Sequence, residues 1–325
     1  MHNNRTVMHM AAVAIALSFA SILHAQISFN FTYTGTAEVG FNNTGASGTA
    51  AKAALESAAS TLAGYFTSSG PVTLTYTVNS YSTNDATLAS AGSDSLSGSP
   101  GFHRTVVQNK IITGADSNGG TADGAIDWNW HHTWDTTDSV TSGFDLKSTA
   151  MHELLHSFGF LSNTEQDPSA NTNWAIFDQY LTTNAGIGSL LINSSTYEWQ
   201  GGGSVTTGGG TPPAFATGGI YFSGANALAA NGGSPIPIYS PTAYEVGSSG
   251  SHTADNYFDA TTAALLLMNS ASDTGQGIRT LSAIELGILK DIGYSLSSVP
   301  EPSTYALIFG MGSLLVVVVR RRRRV

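Results

Sequence analysis

The sequence predicts an α+β fold: strands and a helix first, an active helix in mid-chain, then a loop-rich half closed by a further helix, with a cleft between two lobes. Three observations predict it. Several early stretches alternate apolar and polar residues, the period of strands with one buried face. Two later stretches carry apolar residues three and four apart, the period of a helix packed on one side. Between and after these, glycine, serine and threonine dominate, as they do in loops.

The elements follow in order. "ISFNFTYT" alternates Ile27, Phe29, Phe31 and Tyr33 with polar residues and reads as a strand. Residues 49–68 read as a helix with Leu55, Ala58, Leu62 and Phe66 on one face, stopped by Gly70-Pro71. "PVTLTYTVNSY" points Val72, Leu74, Tyr76 and Val78 inward, and "GAIDWNWHHTW" places Ile126, Trp128 and Trp130 on one face of a third strand. A helix is expected from about Phe144 to Phe158, and "NWAIFDQYL" (173–181) reads as another short one. Residues 200–213, "QGGGSVTTGGGTPP", are a loop rather than a domain linker. In "TLSAIELGILKDIGY", Ser282 and Glu285 form a capping box, and Leu281, Ile284, Ile288 and Ile292 supply the buried face of a closing helix. No internal repeat is present.

The 325 residues contain no cysteine, which excludes disulfides, thiol catalysis and cysteine metal ligands. Residues 26–299 carry six basic residues against 21 acidic ones, a net charge of −15. So acidic a body argues against nucleic acid or an anionic membrane as partner. The ends read as targeting segments. Residues 1–25 have Arg5, an apolar run from Met10 to Leu23 and "LHA" before Gln26, the pattern of a secretory signal cut after Ala25. At the other end, Tyr305 to Val319 is uncharged and Arg320 to Arg324 follow, so this segment is expected to sit transiently in the inner membrane with its arginines cytoplasmic. The expected division is therefore a signal peptide (1–25), one functional domain (26–298) and an anchoring segment (299–325).

The chemistry concentrates in "STAMHELLHSFGFLSN", residues 148–163. His152 and His156 are four apart and share a helix face, so both imidazoles can reach one ion. Glu153 sits beside that ion without being needed as a ligand and can take a proton from a zinc-activated water as general base. The combination fits peptide hydrolysis on a protein or peptide substrate. A core helix with two paired histidines would bury two imidazoles and a carboxylate, which without partners is costly. A catalytic zinc takes three protein ligands and keeps one position open. The third ligand must come from elsewhere: His252 stands after a Gly/Ser turn, Asp178 lies in the 173–181 stretch, and Glu165, His131 and His132 are further candidates. "GADSNGGTADGAID" gathers Asp116, Asn118, Asp123 and Asp127 in a glycine-rich loop that could hold Ca²⁺, although it lacks the spacing of an EF-hand; a solvated turn is the favoured reading.

"HELLHSFGF", with His152, Glu153, His156 and Gly159, followed much later by "SH" at 251–252 and "LLLMN" at 265–269, resembles the metzincin peptidases. The long separation is similar to that of leishmanolysin-like members. The resemblance implies a zincin-like fold, a twisted mixed sheet followed by the active helix, and zinc-dependent endopeptidase activity. It also implies that His252 is the third ligand and Met268 the methionine beneath the metal. This chain departs from the pattern in having no cysteine to block the zinc of a precursor. No tyrosine closely follows Met268; Tyr257 and Tyr294 are the candidates to stabilise an oxyanion. The tail, Pro300-Glu301-Pro302, an apolar stretch and an arginine block, resembles the bacterial PEP-CTERM sorting signal, which implies export to the cell surface or extracellular polymer and processing by an exosortase. A different class of function stays open on that tail: a surface or matrix structural protein that keeps the fold without turnover.

Overall fold

The computed structural model describes residues 27–182, 190–200, 219–241, 244–254 and 266–297. The glycine-rich loop from residue 201 onward, Tyr257 and both terminal targeting segments lie outside them.

The architecture is mixed α and β, with several small sheets around one larger one. In chain order the elements are β1 (Ile27–Gly35), α1 (Ala46–Ala63), β2 (Phe66–Thr67), β3 (Val72–Tyr81), β4 (Ala89–Gly92), β5 (Gly101–His103) and α2 (Val106–Thr113). Then come β6 (Gly124–Asn129), β7 (Trp134–Asp135), β8 (Phe144–Asp145), α3 (Leu146–Ser157), β9 (Asn173–Ala175) and β10 (Leu181–Thr182). The last are β11 (Ile220–Phe222), α4 (Ala225–Ala230), β12 (Ile236–Ile238), α5 (Ala283–Asp291) and β13 (Ser295–Leu296).

The larger sheet has the order β1-β3-β6-β4. Its first three strands are parallel, with Ile27 opposite Val72 and Val78 opposite Ile126. Parallel neighbours require crossovers; α1 lies in the connection from β1 to β3, and α2 in that from β3 to β6. β4 runs antiparallel along β6, with Ala91 opposite Ile126, and forms the sheet edge. β3 buries Val72, Leu74, Tyr76 and Val78 as its alternation predicts, because it is flanked on both sides and covered by helices. Near the chain end, β13 pairs back with β2, Leu296 opposite Phe66.

Three of the four expected helices form, with shifted ends. α1 stops at Gly64, so Phe66 reaches the core from β2 instead. α3 begins two residues after Phe144 because Asp145 is its N-cap, accepting the Ser148 N–H at 3.1 Å. The closing helix α5 carries the expected Ser282/Glu285 capping box. The stretch 173–181 departs from the expected helix. It forms β9 and then a short 3₁₀ turn, Ile176–Tyr180, because the Asp178 carboxylate ties down the N–H groups of Ala175 and Asn163. β6 ends at Asn129, short of Trp130. The Asn129 side chain is there engaged with the backbone of Thr83 and Thr87, at 2.9–3.0 Å, which pins the loop leading into β4.

In the acidic glycine-rich loop, the Lys110 ammonium lies 2.9 Å from Asp116 and 3.0 Å from Asp123. Asp123 is buried and also accepts from the Thr75 N–H and hydroxyl. Asp127 instead accepts from the Asn79 amide at 2.7 Å. The positive charge at this loop is thus the protein's own. Lys110→Met leaves Asp123 buried without its cation and is expected to destabilise the fold by about 3–5 kcal/mol, measured as a lower urea midpoint with unchanged m-value.

Candidate metal centre

The site is built on how α3 ends. Gly159 takes φ +90°, its N–H bonds the His156 carbonyl at 3.0 Å, and the Phe160 N–H bonds the Leu155 carbonyl at 3.1 Å. This is the Schellman closure that glycine permits. A side chain at 159 would also meet the Gln108 amide at 2.9 Å. The closure turns the Phe160 carbonyl back over the helix end, where it accepts from Nδ1 of His156 at 2.8 Å. The remaining C-terminal carbonyls are satisfied by side chains: Thr105 donates to Ser157 O at 2.8 Å and Tyr294 to Phe158 O at 2.7 Å. Tyr294 is therefore a buried strut of this helix end and not an oxyanion donor.

The second element is the loop 245–252, which makes left-handed turns at Gly247 and Gly250. It is pinned to β12's continuation by Gly250 N–H to Tyr239 O at 2.8 Å and Tyr239 N–H to His252 O at 2.8 Å. The Ser162 N–H donates to Ser251 Oγ at 3.0 Å. The chain just past the helix thus grips the neighbour of His252. Nδ1 of His252 donates to Ser248 O at 2.9 Å.

The third element is the turn at Leu267–Met268. Met268 is fully buried, its N–H bonds Glu285 Oε1 at 2.8 Å, and its carbonyl accepts the Thr253 N–H at 2.9 Å. The Leu267 carbonyl accepts Nδ1 of His152 at 2.7 Å. The capping carboxylate of α5 and the residue after His252 therefore hold the turn that orients His152.

These three supports bring the Nε2 atoms of His152, His156 and His252 together, each 3.1 Å from the other two. Among the described residues, this is the group of metal-ligating side chains that converges. Carbonyl oxygens only accept, so each Nδ1 carries the proton and each Nε2 presents a lone pair. Three lone pairs cannot hydrogen-bond one another, and a buried acceptor without a donor costs about 1–3 kcal/mol. A shared cation turns that repulsion into coordination. The centre of a triangle of this size is about 1.8 Å from each corner, so an ion at about 2.0–2.1 Å, the zinc–imidazole distance, fits with one face left open. Neutral imidazoles suit zinc.

The electrostatics agree with neutral imidazoles. Burial holds His152 below the ordinary range. Burial and then repulsion from His252 and His152 push His156 well below it. Burial, followed by His152, takes His252 down to about 3. Glu153 is buried beside them, and desolvation raises it to about 8 against the opposing hydrogen bond from the Ala91 N–H. A divalent cation at the histidines would draw that value down.

The other sequence candidates lie apart. Asp178 is buried and holds backbone N–H groups, Glu165 is exposed, and His131 is exposed. His132 reaches the cleft but bonds Thr87 O at 3.1 Å through Nε2. The cleft over the histidines measures about 750 Å³ and runs between β4 on one wall and Val246–Ser248 on the other. Sequence reasoning missed β4, whose "ASAG" has no apolar period. It also missed α2, although Thr105 and Gly114 mark both its ends as caps.

Residues 298–324 match the family model described as the PEP-CTERM protein-sorting motif. The chain is thus an exported protein with a C-terminal sorting signal, of the kind an exosortase recognises. No curated protein matches the chain. Among the described residues no helix is long and apolar enough to cross a membrane.

Two outcomes follow from this geometry. Burial raises Asp178 to about 6, against the pull of the Ser162 hydroxyl and the two N–H groups. A carboxyl whose folded pKa exceeds its unfolded value of 3.8 loses stability as pH rises between about 4 and 6. Asp178→Asn is expected to remove that fall, seen as a flatter melting temperature against pH. Glu285→Ala frees the turn beneath His152 and is expected to weaken zinc binding about 10–100-fold in competition titrations with a chelator.

Proposed function

We propose that this chain is a secreted zinc-dependent endopeptidase with a metzincin-like catalytic domain over residues 26–298. The observation that carries the reading is the triangle of three Nε2 atoms, each fixed by its own carbonyl, with a glutamate beside it. His152, His156 and His252 would hold the ion. When bound, zinc supplies a Lewis acid that polarises a peptide carbonyl and acidifies water.

The chain's own groups do the rest. Glu153 accepts a proton from water and passes it to the leaving amine. Its carboxylate is aimed by the Ala91 N–H, so the general base is registered to the sheet edge. In β4 the residues alternate in pairing direction. Leu88 O faces β6, so Ala89 turns its N–H and C=O outward, as Ala91 does its C=O. An extended substrate can add to that edge as a further strand, which places its backbone across Glu153. The lining outside the histidines and Glu153 mixes small residues, among them Ala89, Ser90, Ala91 and Ser248, with the apolar side chains of Phe144, Leu161 and Val246. Such a cleft offers backbone pairing at β4 and apolar contact for substrate side chains. The sorting segment, after anchoring in the inner membrane and processing, leaves the domain at the surface or in extracellular polymer.

The tail favours a second reading, a matrix protein that keeps this fold without turnover. Glu153→Ala decides between them. The variant is expected to retain one zinc per chain while chelator-sensitive casein hydrolysis by the wild type falls about 10²–10⁴-fold. Zinc without hydrolysis in the wild type supports the matrix protein.

A further inference from the structure

We infer that Asn269 is a catalytic residue of this cleft, the donor that holds the carbonyl oxygen of the bound peptide as it becomes an oxyanion. The inference rests on the endopeptidase reading. With Tyr294 engaged at the helix end, the cleft needs another donor near the histidines. Asn269 follows the turn that orients His152 and is bridged to Thr253, the neighbour of His252. It is 5% exposed and lines both the metal cleft and a second cavity of about 290 Å³ beside it.

Its amide orientation follows from its partners. The Met268 carbonyl already accepts the Thr253 N–H at 2.9 Å. The Thr253 hydroxyl lies 3.1 Å from that same carbonyl and 3.1 Å from Asn269 Oδ1, and shares its proton between the two acceptors. Thr253 is fully buried, so the carbonyl end of the amide points inward. The opposite end, Nδ2, has no hydrogen-bond partner among the described residues, and it is the end left for the two cavities. The other side chains shared by the two cavities are Thr149, Ala271 and Ser272, of which the last two are exposed. Asn269 is thus the buried, pre-aimed amide donor at their junction.

The step balances with the groups named. A water oxygen adds to the amide carbon, and the C=O electron pair moves onto the carbonyl oxygen. Glu153 takes the water's proton and delivers it to the nitrogen as the C–N bond breaks and the C=O re-forms. Nδ2–H donates to the oxygen while it carries the charge, and a fixed donor in a water-poor site acts most strongly at that moment.

The test uses the zinc-loaded protein and two variants. Asn269→Ala removes the amide. Asn269→Asp keeps an oxygen for Thr253 and replaces the donor with a charged acceptor. The probe is a phosphinic Ala-Ala pseudopeptide, a tetrahedral mimic, titrated by calorimetry, with casein hydrolysis followed in parallel. Both variants are expected to keep their zinc, bind the mimic at least about 10-fold more weakly, and lose about 10²–10³ in kcat with little change in KM. An unchanged dissociation constant for the mimic overturns the inference and leaves the metal site standing. Loss of zinc from both variants also overturns it, because Asn269 would then only position the ligands. A wild type that holds no zinc overturns the endopeptidase reading and this inference together.

Discussion

Everything at the centre of this protein depends on three hydrogen bonds from imidazole Nδ1 atoms to backbone carbonyls. Phe160, Ser248 and Leu267 supply the acceptors, at 2.7–2.9 Å. Each bond does two things. It selects the tautomer with a bare Nε2, and it fixes the ring so that Nε2 faces the other two. Because the acceptors are main chain, no single side chain owns them. They exist only where a Schellman closure, a two-glycine loop and a turn clamped by Glu285 are all formed together. The histidine triangle is therefore a readout of three pieces of backbone geometry.

The same logic joins the site to the sheet. Asn129 pins the loop that leads into β4, β4 pairs with β6, and the Ala91 N–H meets Glu153. A carboxylate that is desolvated yet aimed by one N–H remains a usable base, whereas an exposed one would have the wrong affinity for protons near neutrality. The acidic body contrasts with a cleft lined by neutral groups outside Glu153 and the histidines. Charge thus sets the surface's character, while backbone edges set the cleft's.

Legibility followed the range of the interactions. The alternation in Val72–Tyr81, the capping box at Ser282 and Glu285 and the apolar face of α5 are local, and they stand where the sequence places them. Asp178 and the 3₁₀ turn around it went the other way. An apolar period of nine residues cannot reveal that a buried carboxylate will capture the N–H of Asn163, 15 residues upstream. β4 is unreadable for a similar reason. Its small residues become a strand because β6 offers an unpaired edge, not because of any preference of their own.

The sequence by itself determined the pair His152 and His156, the glutamate between them and the glycine that ends their helix. All four follow from the helical repeat and from glycine's access to positive φ. Only the tertiary structure decided that His252, 96 residues beyond His156, joins them at 3.1 Å while Asp178, Glu165 and His131 do not. Ser162, six residues after His156, illustrates the difference. Its N–H holds Ser251 in place, and with it the neighbouring His252. No local pattern encodes that contact, because its partners are brought together by the packing of segments that share no sequence period.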